Sequence, residues 1–433
     1  MRSRPTSPAA EARAPAAVAA AVKVAYFFTR FPHPTETFLQ REIRGMWRLG
    51  LRPEIHSFHA GAPQFDGRPV RQFSKWRLLG LPWFVAKEWL RKPSEVGRFA
   101  ALLFRGWPRD WLNHWENLYG AGVGVILASS LRRAGIQHVH AAWCSLPAMA
   151  AWIVAELNDI SFSTGAHAYD LFEHGGDWFL CEKCAAAAFV HTSTGAGQRR
   201  LQRLGIDDGK ILLVRRGLDR FPPPRPIRAV RRPLRIVCVA RLVEKKGLLR
   251  QIGIYRHVRA QGLELDVRII GDGPLRDRLQ LEISASRLAD VVQLTGHLEQ
   301  DAVWAALEHA DVLVHTGVVT ASGDRDGLPN VVPEAMAAGA VVVTAPGEGV
   351  LEAIEPGVTG LVCDLDDPDT WLAAFRRISD DSEFADALRS HARTWVETHF
   401  DAATNAARIL ERFARAAEQG KTNQQPPRTE PCL

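Results

Sequence analysis

The sequence predicts an α/β protein made of two doubly wound, Rossmann-like domains that face each other across a cleft. Its 433 residues exceed the usual size of one hydrophobic core, so two domains are expected. Strand and helix patterns alternate along most of the chain, which is typical of parallel βαβ units. The segment 221–233 is rich in proline and arginine and cannot form a regular element, so we expect it to link the domains.

The N-terminal domain is expected to cover 22–220. Its first strand is VKVAYFF (22–28), and the helix PTETFLQREIRGMWRLG (34–50) follows, with Thr35 placed as the N-cap. Further strands are expected at 136–143, 160–167, 187–193 and 210–217. Residues 1–21 are rich in alanine and proline and predict a disordered tail instead of an export signal, which favours a cytoplasmic location.

A second series of strands begins after the linker, within an expected C-terminal domain of 234–400. Its strands are predicted at 234–241, 265–273, 291–298, 311–317 and 340–346. A helix at 401–418 and a disordered tail at 419–433 follow this domain. Ligands of doubly wound sheets bind beyond the carboxyl ends of the strands, so that is where site residues are expected.

The composition excludes several classes of protein. With 46% hydrophobic and 24% charged residues, the balance is that of an ordinary globular chain, and no apolar run reaches the roughly 20 residues that span a bilayer. Cys181 and Cys184 have the spacing of zinc ligands, but the chain offers no companion pair. We therefore expect no metal site and no cofactor.

The positive charge is concentrated in one part of the N-terminal domain, an expected helical insertion at about 65–118. From Arg68 to Arg109 there are ten lysines and arginines against two glutamates, a net +8 that exceeds the +6 of the whole chain. The same insertion carries six tryptophans: Trp76, Trp83, Trp89, Trp107, Trp111 and Trp115. This pattern suits an anionic membrane surface, or an insertion whose tryptophans pack on the core; single-stranded nucleic acid fits it less well, and no nucleic-acid partner is expected.

Two cations follow the first strand of the C-terminal domain. In ARLVEKKG (240–247), Arg241 and Lys246 leave the strand end together and Gly247 opens a helix. Two cations beside a helix N-terminus can bind a diphosphate. A solvated basic turn would have the same sequence.

Two acids lie eight positions apart in GDRDGLPNVVPEAMAAGAVVV (323–343). Asp326 precedes the turn Gly327-Leu328-Pro329, whose amides can face a ligand, and Glu334 lies in the first turn of a helix. Each carboxylate can accept two hydroxyls of a sugar, although a glutamate at a helix start is often only a favourable charge. A third candidate, His167, stands at a strand end in STGAHAYD (163–170).

Together these motifs resemble the retaining glycosyltransferases of family 4, which have the GT-B fold. Arg241 and Lys246 fit the family's R-x4-K-G arrangement, and its E-x7-E signature falls on Asp326 and Glu334, so the first acid is Asp instead of Glu. The resemblance covers about 24–400. FPHPTETFLQREI and TGAHAYD are similar to the subgroup that builds exopolysaccharides of the colanic acid type.

The resemblance implies a hexosyltransferase that takes its sugar from a nucleoside-diphosphate donor without a metal. It implies that Arg241 and Lys246 stabilise the diphosphate and Glu334 holds the ribose. By the same resemblance, Asp326 and the amides of Gly327 and Leu328 would hold the sugar, His167 would face its anomeric side, and backbone near His297 and Leu298 would lie against the base.

Two other functions were weighed against this one. A dinucleotide oxidoreductase needs G-x-G-x-x-G after a strand, and GDGPLRD (271–277) lacks the third glycine. A catalytically weak GT-B binding or scaffold protein of a polysaccharide assembly is the alternative that the Asp at 326 leaves open. The expected acceptor is a glycan or a lipid-linked glycan, met at the inner face of the plasma membrane if the insertion binds lipid.

Overall fold

The computed structural model describes residues 22–34, 36–104, 110–167, 169–224, 232–321 and 323–420. The chain divides into two compact units. One comprises Met1–Gly217 together with Ala402–Leu433, and the other is Leu218–Asp401. The final helix therefore belongs to the N-terminal unit. Of the expected linker, positions 221–224 and 232–233 are described and form no helix or strand, and 225–231 lies outside the described residues.

The N-terminal unit is built on a seven-stranded sheet with parallel pairing throughout. The strand order is β5-β2-β1-β6-β7-β8-β9. The strands are β1 (Val24–Phe28), β2 (Glu54–Ser57), β5 (Arg71–Gln72), β6 (His138–Ala141), β7 (Ser161–Gly165), β8 (Val190–Thr192) and β9 (Ile211–Leu213), with β3 (Gln64–Phe65) and β4 (Arg68–Pro69) forming a separate hairpin. The sequence did not predict β2 to β5, because these short strands mix polar with apolar residues.

Eight helices of this unit lie before Gly217 in the described part of the chain. They are α1 (Thr37–Arg48), α2 (Leu81–Arg91), α3 (Pro93–Leu103), α4 (Trp111–Ala134), α5 (Leu146–Asn158), α6 (Tyr169–Phe172), α7 (Leu180–Ala186) and α8 (Gly195–Arg203). Thr35, the predicted cap of α1, lies outside the described residues. The predicted insertion begins with the short strands and then forms a 3₁₀ turn (Lys75–Gly80), α2, α3 and the start of α4. Its residues 105–109, which include Trp107, are also outside the described part.

The second unit has a six-stranded sheet, again with parallel pairing. The strand order is β12-β11-β10-β13-β14-β15. The strands are β10 (Leu234–Val239), β11 (Leu265–Ile270), β12 (Val292–Gly296), β13 (Val312–His315), β14 (Val341–Thr344) and β15 (Leu361–Val362). The helices are α9 (Leu248–Ala260), α10 (Arg276–Ala285), α11 (Gln300–His309), α12 (Val331–Ala338), α13 (Pro368–Asp380) and α14 (Ser382–His399). The five strands predicted here are confirmed, and β15 is an addition.

Each sheet is covered on both faces. In the N-terminal unit one face packs against α4 and α5, and the other packs against α1 and the final helix α15 (Ala402–Gln419), through buried Ile409, Leu410 and Phe413. In the second unit α9 and α13 contribute to one core, and α11, α12 and α14 to the other. Both units are therefore doubly wound, as expected. Among the described helices, none has the length and apolarity needed to cross a bilayer.

Candidate functional site

The order of strands in the second unit places a switch point between β10 and β13. From β10 the chain adds β11 and β12 on one side, and from β13 it adds β14 and β15 on the other. Loops that follow two such strands diverge and leave a crevice at the carboxyl edge of the sheet. Lys246 follows β10, His315 is the last residue of β13, and Asp326 lies in the loop after it. The predicted residues thus meet at the edge where a ligand is expected.

The loop after β10 is fastened to the loop after β13 by its backbone. Gly247 has a left-handed φ of +63°, and a Cβ there would lie 2.0 Å from the carbonyl oxygen of Thr316. The Thr316 hydroxyl donates to the Lys246 carbonyl at 2.9 Å, and the amide of Val318 donates to the Lys245 carbonyl at 2.8 Å. Glycine is therefore required at 247, and the two loops hold a fixed separation.

Lys246 and Asp326 form a direct ion pair. Lys246 Nζ lies 2.5 Å from Asp326 Oδ2, and both side chains are mostly buried, at 14% and 17% exposure. Lys245 pairs with Asp324 at 2.9 Å and lies 3.9 Å from Asp326. His315 Nε2 lies 3.7 Å from the same Asp326 oxygen. The sequence placed Lys246 on the phosphates and Asp326 on the sugar, and the structure shows them bonded to each other.

At this edge of the sheet, the protonation of Asp326 and of His315 depends on their contacts with each other and with Lys246. Burial alone would raise the pKa of Asp326, but the polar contact with His315 and the charge of Lys246 outweigh it and hold the pKa well below its usual range. Burial lowers the pKa of His315, with Asp326 opposing that shift and Lys246 adding to it. Asp326 is therefore a carboxylate across the physiological range, and His315 is neutral.

The other donor-site candidates lie around this pair. Glu334 is 5% exposed in the first turn of α12, and Leu328 is equally buried. Gly327 packs against Gly349, where a Cβ would lie 2.3 Å from the Gly327 carbonyl carbon, so the turn predicted from Gly-Leu-Pro has a fixed neighbour. Arg241 is exposed, and its guanidinium forms no hydrogen bond or ion pair with the described residues.

His297 and Leu298 follow β12, the edge strand of the sheet. β11 and β10 lie between β12 and β13 in the sheet. β10, which Lys246 follows, is two strand spacings from β12, a distance of about 10 Å across the sheet. The His297 side chain is 70% exposed, with Glu299 4.0 Å away. The structure thus brings Lys246 and Asp326 together and leaves His297 apart from them.

In the N-terminal unit His167 is buried in a cluster of histidines. Its Nε2 lies 3.1 Å from His191 Nε2, and its ring makes edge contacts with Phe38 and Trp143. Burial, followed by the neighbouring His191 and Arg216, lowers the pKa of His167 well below its usual range, so the ring is neutral. A cavity of about 20 Å³ beside it is also lined by Glu42 and Arg216.

Sequence analysis missed several members of both clusters. His315 lies within the predicted strand DVLVHTG and ends β13, and its place near a strand end was the available signal. Glu42 lies in α1, and Glu36 is the N-cap residue before it. Burial raises the pKa of each to about 7, opposed for Glu36 by Trp143 and Arg216 and for Glu42 by a hydrogen bond from Tyr26. No local pattern distinguishes them from surface glutamates.

Comparison with known proteins identifies the family. Residues 225–395 match the family described as glycosyl transferases group 1. The chain is 30% identical over 407 residues to the protein of Escherichia coli (strain K12) named as the colanic acid biosynthesis glycosyltransferase WcaL, covering 88% of this chain and 96% of that one. It is 35% identical over 221 residues, 50% of this chain and 54% of the other, to the amylovoran biosynthesis glycosyltransferase AmsK of Erwinia amylovora.

Solved structures show the same fold. The Anabaena protein HepE, crystallised with UDP, has a TM-score of 0.68 at 17% identity and covers 91% of this chain and 100% of its own. HepE was also solved with UDP-glucose. A sucrose-phosphate synthase from Thermosynechococcus elongatus has a TM-score of 0.66 at 15% identity, with 91% and 98% coverage. The chain belongs to the group 1 glycosyl transferases, and it is a GT-B glycosyltransferase of exopolysaccharide biosynthesis.

Proposed function

We propose that this glycosyltransferase is a retaining enzyme of the family 4 type that moves a hexosyl group from a nucleoside-diphosphate sugar to a glycan or lipid-linked glycan. The observation that carries the proposal is the Lys246–Asp326 pair at the β10–β13 switch point. A buried cation held at the carboxyl edge of a parallel sheet is suited to a diphosphate, and a carboxylate beside it is suited to sugar hydroxyls.

The ion pair suggests how the site would change when donor binds. A diphosphate competes with Asp326 for the Lys246 ammonium, because both are anions and the phosphate carries more charge. Asp326 would then accept hydrogen bonds from the sugar. Charge grows on the diphosphate as the glycosidic bond breaks, so Lys246 and Arg241 would stabilise the transition state more than the ground state.

The remaining site residues keep the roles that the family resemblance implies. Glu334 would hold the ribose hydroxyls, the amides of Gly327 and Leu328 the sugar, and the backbone at His297 and Leu298 the base. His167, neutral in its buried cluster, would act as a hydrogen-bonding group at the sugar and not as a cation. These steps use no metal or cofactor.

The solved neighbour supports a nucleotide sugar as donor, since HepE was crystallised with UDP and with UDP-glucose. A weak binding or scaffold protein is not favoured, because the curated relatives are named as glycosyltransferases.

A donor screen tests the proposal. Nucleoside-diphosphate sugars at 100 times their dissociation constant should add about 2.7 kcal/mol to the free energy of unfolding, measured as a thermal shift. Lys246→Ala should remove that shift and lower turnover by about 100-fold or more. Arg250→Ala is the matched control, since Arg250 lies on the nearby α9 and its one ion pair among the described residues is with exposed Asp366. Wild-type turnover by Lys246→Ala would contradict the donor assignment.

We also infer that the insertion binds an anionic membrane surface, where the enzyme would work on the cytoplasmic side. Large apolar side chains of the insertion are exposed by 48% to 88%: Trp76, Leu79, Trp83, Trp89, Leu90, Phe104, Trp111, Leu112 and Trp115. We call these nine residues the aromatic patch. Tryptophan favours the membrane interface, and an apolar group of this size is unusual on a free surface.

The charge of the insertion is less available than the sequence suggested. Lys92 pairs with Asp159 and Arg98 with Glu156, and these two pairs hold α2 and α3 to the body of the unit. Arg91 pairs with Glu88 within α2 and donates a hydrogen bond to the Leu157 carbonyl. Lys75 and Lys87 are exposed and have no ion-pair partner among the residues that the structure describes. The lipid contact would therefore depend mainly on the aromatic patch, with Lys75 and Lys87 supplying the preference for anionic lipid.

A further inference from the structure

A row of polar side chains crosses one buried face of the N-terminal sheet. Tyr26 of β1 is directly opposite His140 of β6, which is opposite Ser163 of β7, and His191 follows on β8. Tyr26, His140 and Ser163 are fully buried and His191 is 2% exposed. The sheet face is otherwise covered by aromatic and aliphatic side chains, including Phe189 and Phe413. Polar groups in such surroundings are costly unless each has a partner.

Two ring nitrogens in this row have no hydrogen-bond partner among the described residues, His140 Nε2 and His191 Nδ1. The neighbouring His138 is a useful contrast. It is equally buried on the same strand, but Ser161 and Ser163 satisfy both of its nitrogens at 2.7 Å. Ser161 and Ser163 of β7 therefore provide hydrogen-bond partners for both ring nitrogens of His138, but only for Nδ1 of His140. His140 Nε2 therefore has no serine partner, and it is the nitrogen of His140 that can bind another ligand; on His191 the nitrogen near Glu42 is Nε2.

Glu42 of α1 points to the same place from the layer above the sheet. One ligand atom each from Glu42, His140 and His191 lies within 4.8 Å of the other two. His191 Nε2 is 3.9 Å from Glu42 Oε2. Two imidazoles and one carboxylate form a ligand set that transition-metal ions prefer over Ca²⁺ or Mg²⁺.

We propose that Glu42, His140 and His191 bind one divalent metal ion of the zinc type, as a structural site inside the N-terminal unit. In a tetrahedral zinc site with zinc–nitrogen distances of about 2.0–2.1 Å, the ligand atoms stand roughly 3.3 Å apart. The ligand atoms of these three side chains would therefore move about an ångström closer together when an ion binds. The proposal does not rest on the transfer reaction.

The surroundings of the three residues fit metal ligation. Tyr26 donates a hydrogen bond to Glu42, and Ser163 bonds His140 Nδ1 at 2.7 Å, so both ligands are oriented by a neighbour as metal ligands usually are.

The site adjoins the histidine predicted to face the sugar. His191 Nε2 lies 3.1 Å from His167 Nε2, so an ion on His191 would restrict the ring that His167 contacts. His167 would then be held by the metal site without binding the metal. The sequence concealed this arrangement, because the ligands come from one helix and two strands and have no shared spacing motif.

Metal analysis of the purified full-length chain tests the proposal. After chelation, reloading with Zn²⁺ and dialysis, we expect about one Zn²⁺ per chain and a higher melting temperature. Reloading with Co²⁺ should give the visible absorption of a tetrahedral nitrogen–oxygen site. Neither measurement needs a variant. Absence of retained Zn²⁺ together with absence of a Co²⁺ spectrum would overturn the proposal.

Variants locate the ion. Glu42→Gln keeps the side-chain shape and His140→Gln removes an imidazole; each should weaken Zn²⁺ binding by about 100-fold or more, since even the loss of a residue behind a ligand costs 10- to 100-fold. His138→Gln is the matched control, equally buried and on the same strand, and should bind Zn²⁺ as the wild type does. Equal binding by all three variants would place the ion elsewhere and contradict this site.

Discussion

Before any donor binds, the Lys246 ammonium is neutralised by Asp326, whose carboxylate oxygen lies 2.5 Å away. The family pattern has Glu at this position. Glutamate is longer by one methylene, about 1.5 Å of reach. With Asp, the carboxylate stays close to Lys246 and His315, and this restricts how far it can extend toward a sugar. The length of the side chain at 326 therefore sets the distance of its carboxylate from Lys246 and His315.

Asp326→Glu tests the effect of that length. We expect the longer side chain to change the sugar preference or the turnover, because its oxygens cannot keep the present distances of 2.5 Å to Lys246 and 3.7 Å to His315. Asp326→Ala should lower turnover, and Glu334→Ala should raise the Michaelis constant for the donor, since the ribose contact is made equally in the ground and transition states. Steady-state kinetics with two donor sugars measures all three. Unchanged rate and preference in Asp326→Glu would mean that residue 326 does not contact the sugar.

At the scale of single elements, the strand β6 carries a histidine that must stay neutral. Burial lowers the pKa of His138 to about 3, against 6.5 in an unfolded chain. Between these values the unfolded chain binds a proton that the folded one does not, so the contribution of His138 to stability rises with pH and is complete above about 6.5. The slope is at most about 1.4 kcal/mol per pH unit for one such group.

His138→Gln isolates this contribution. Both proteins keep Glu36 and Glu42, whose raised pKa values act in the opposite direction between about 4.5 and 7, so their effect cancels in the comparison. The variant should lose stability less steeply than the wild type as pH falls from 6.5 to 4.5, as measured by urea unfolding. Parallel pH profiles would show that the pKa of His138 is the same in the folded and the unfolded chain.

The aromatic patch is carried by the 3₁₀ turn, α2, the residue after α3 and the first turns of α4, and vesicle sedimentation tests its role. The chain should bind anionic vesicles more than neutral ones, and less at 0.5 M than at about 0.1 M salt, because screening shortens the reach of Lys75 and Lys87. Replacing Trp76, Trp83 and Leu90 with Ser should abolish binding without lowering donor hydrolysis.

Leu281→Ser is the matched control for that experiment, since Leu281 is 72% exposed on α10 of the other unit. Binding to neither vesicle type would leave the patch without a lipid partner. Equal binding to both would contradict the preference for anionic lipid that is assigned to Lys75 and Lys87. Reversal of Arg91, Lys92 and Arg98 is unsuited to this purpose, because it would break the ion pairs that hold α2 and α3 in place.

At the scale of the whole molecule, the last helix belongs to the first unit. α15 packs on α1 so closely that a Cβ on Gly45 would lie 2.8 Å from the Cβ of Ala406. Ile409, Leu410 and Phe413 are buried against the sheet, at about 1.5–3 kcal/mol of stabilisation each. Their sum is comparable with the whole stability of a typical domain.

Truncation tests this dependence. A chain ending at Asp401 should lose the folded N-terminal unit, measured as loss of its thermal transition by calorimetry, while the transition of the other unit remains. Two unchanged transitions after truncation at Asp401 would show that α15 contributes little.

The sequence by itself determined the fold class, the strands with continuous apolar residues and the two-part donor motif, because periodicity, strand-end position and loop spacing are local. It identified Lys246 and Asp326 as site residues for that reason. It failed at β2 and β5, which form only because neighbouring strands offer free hydrogen-bonding edges. It also had no means of assigning α15 to the first unit.

Only the tertiary structure decided which charges meet. Lys246 and Asp326 are eighty positions apart, and their pairing depends on the parallel contact of β10 with β13. Glu42, His140 and His191 converge because one helix lies over two strands, so the sequence expectation of no metal site considered only local spacing. Lys92 and Arg98 read as free charges in the sequence, but the position of α2 and α3 beside α5 places Asp159 and Glu156 next to them. Long-range packing determines these environments, and no window of sequence contains it.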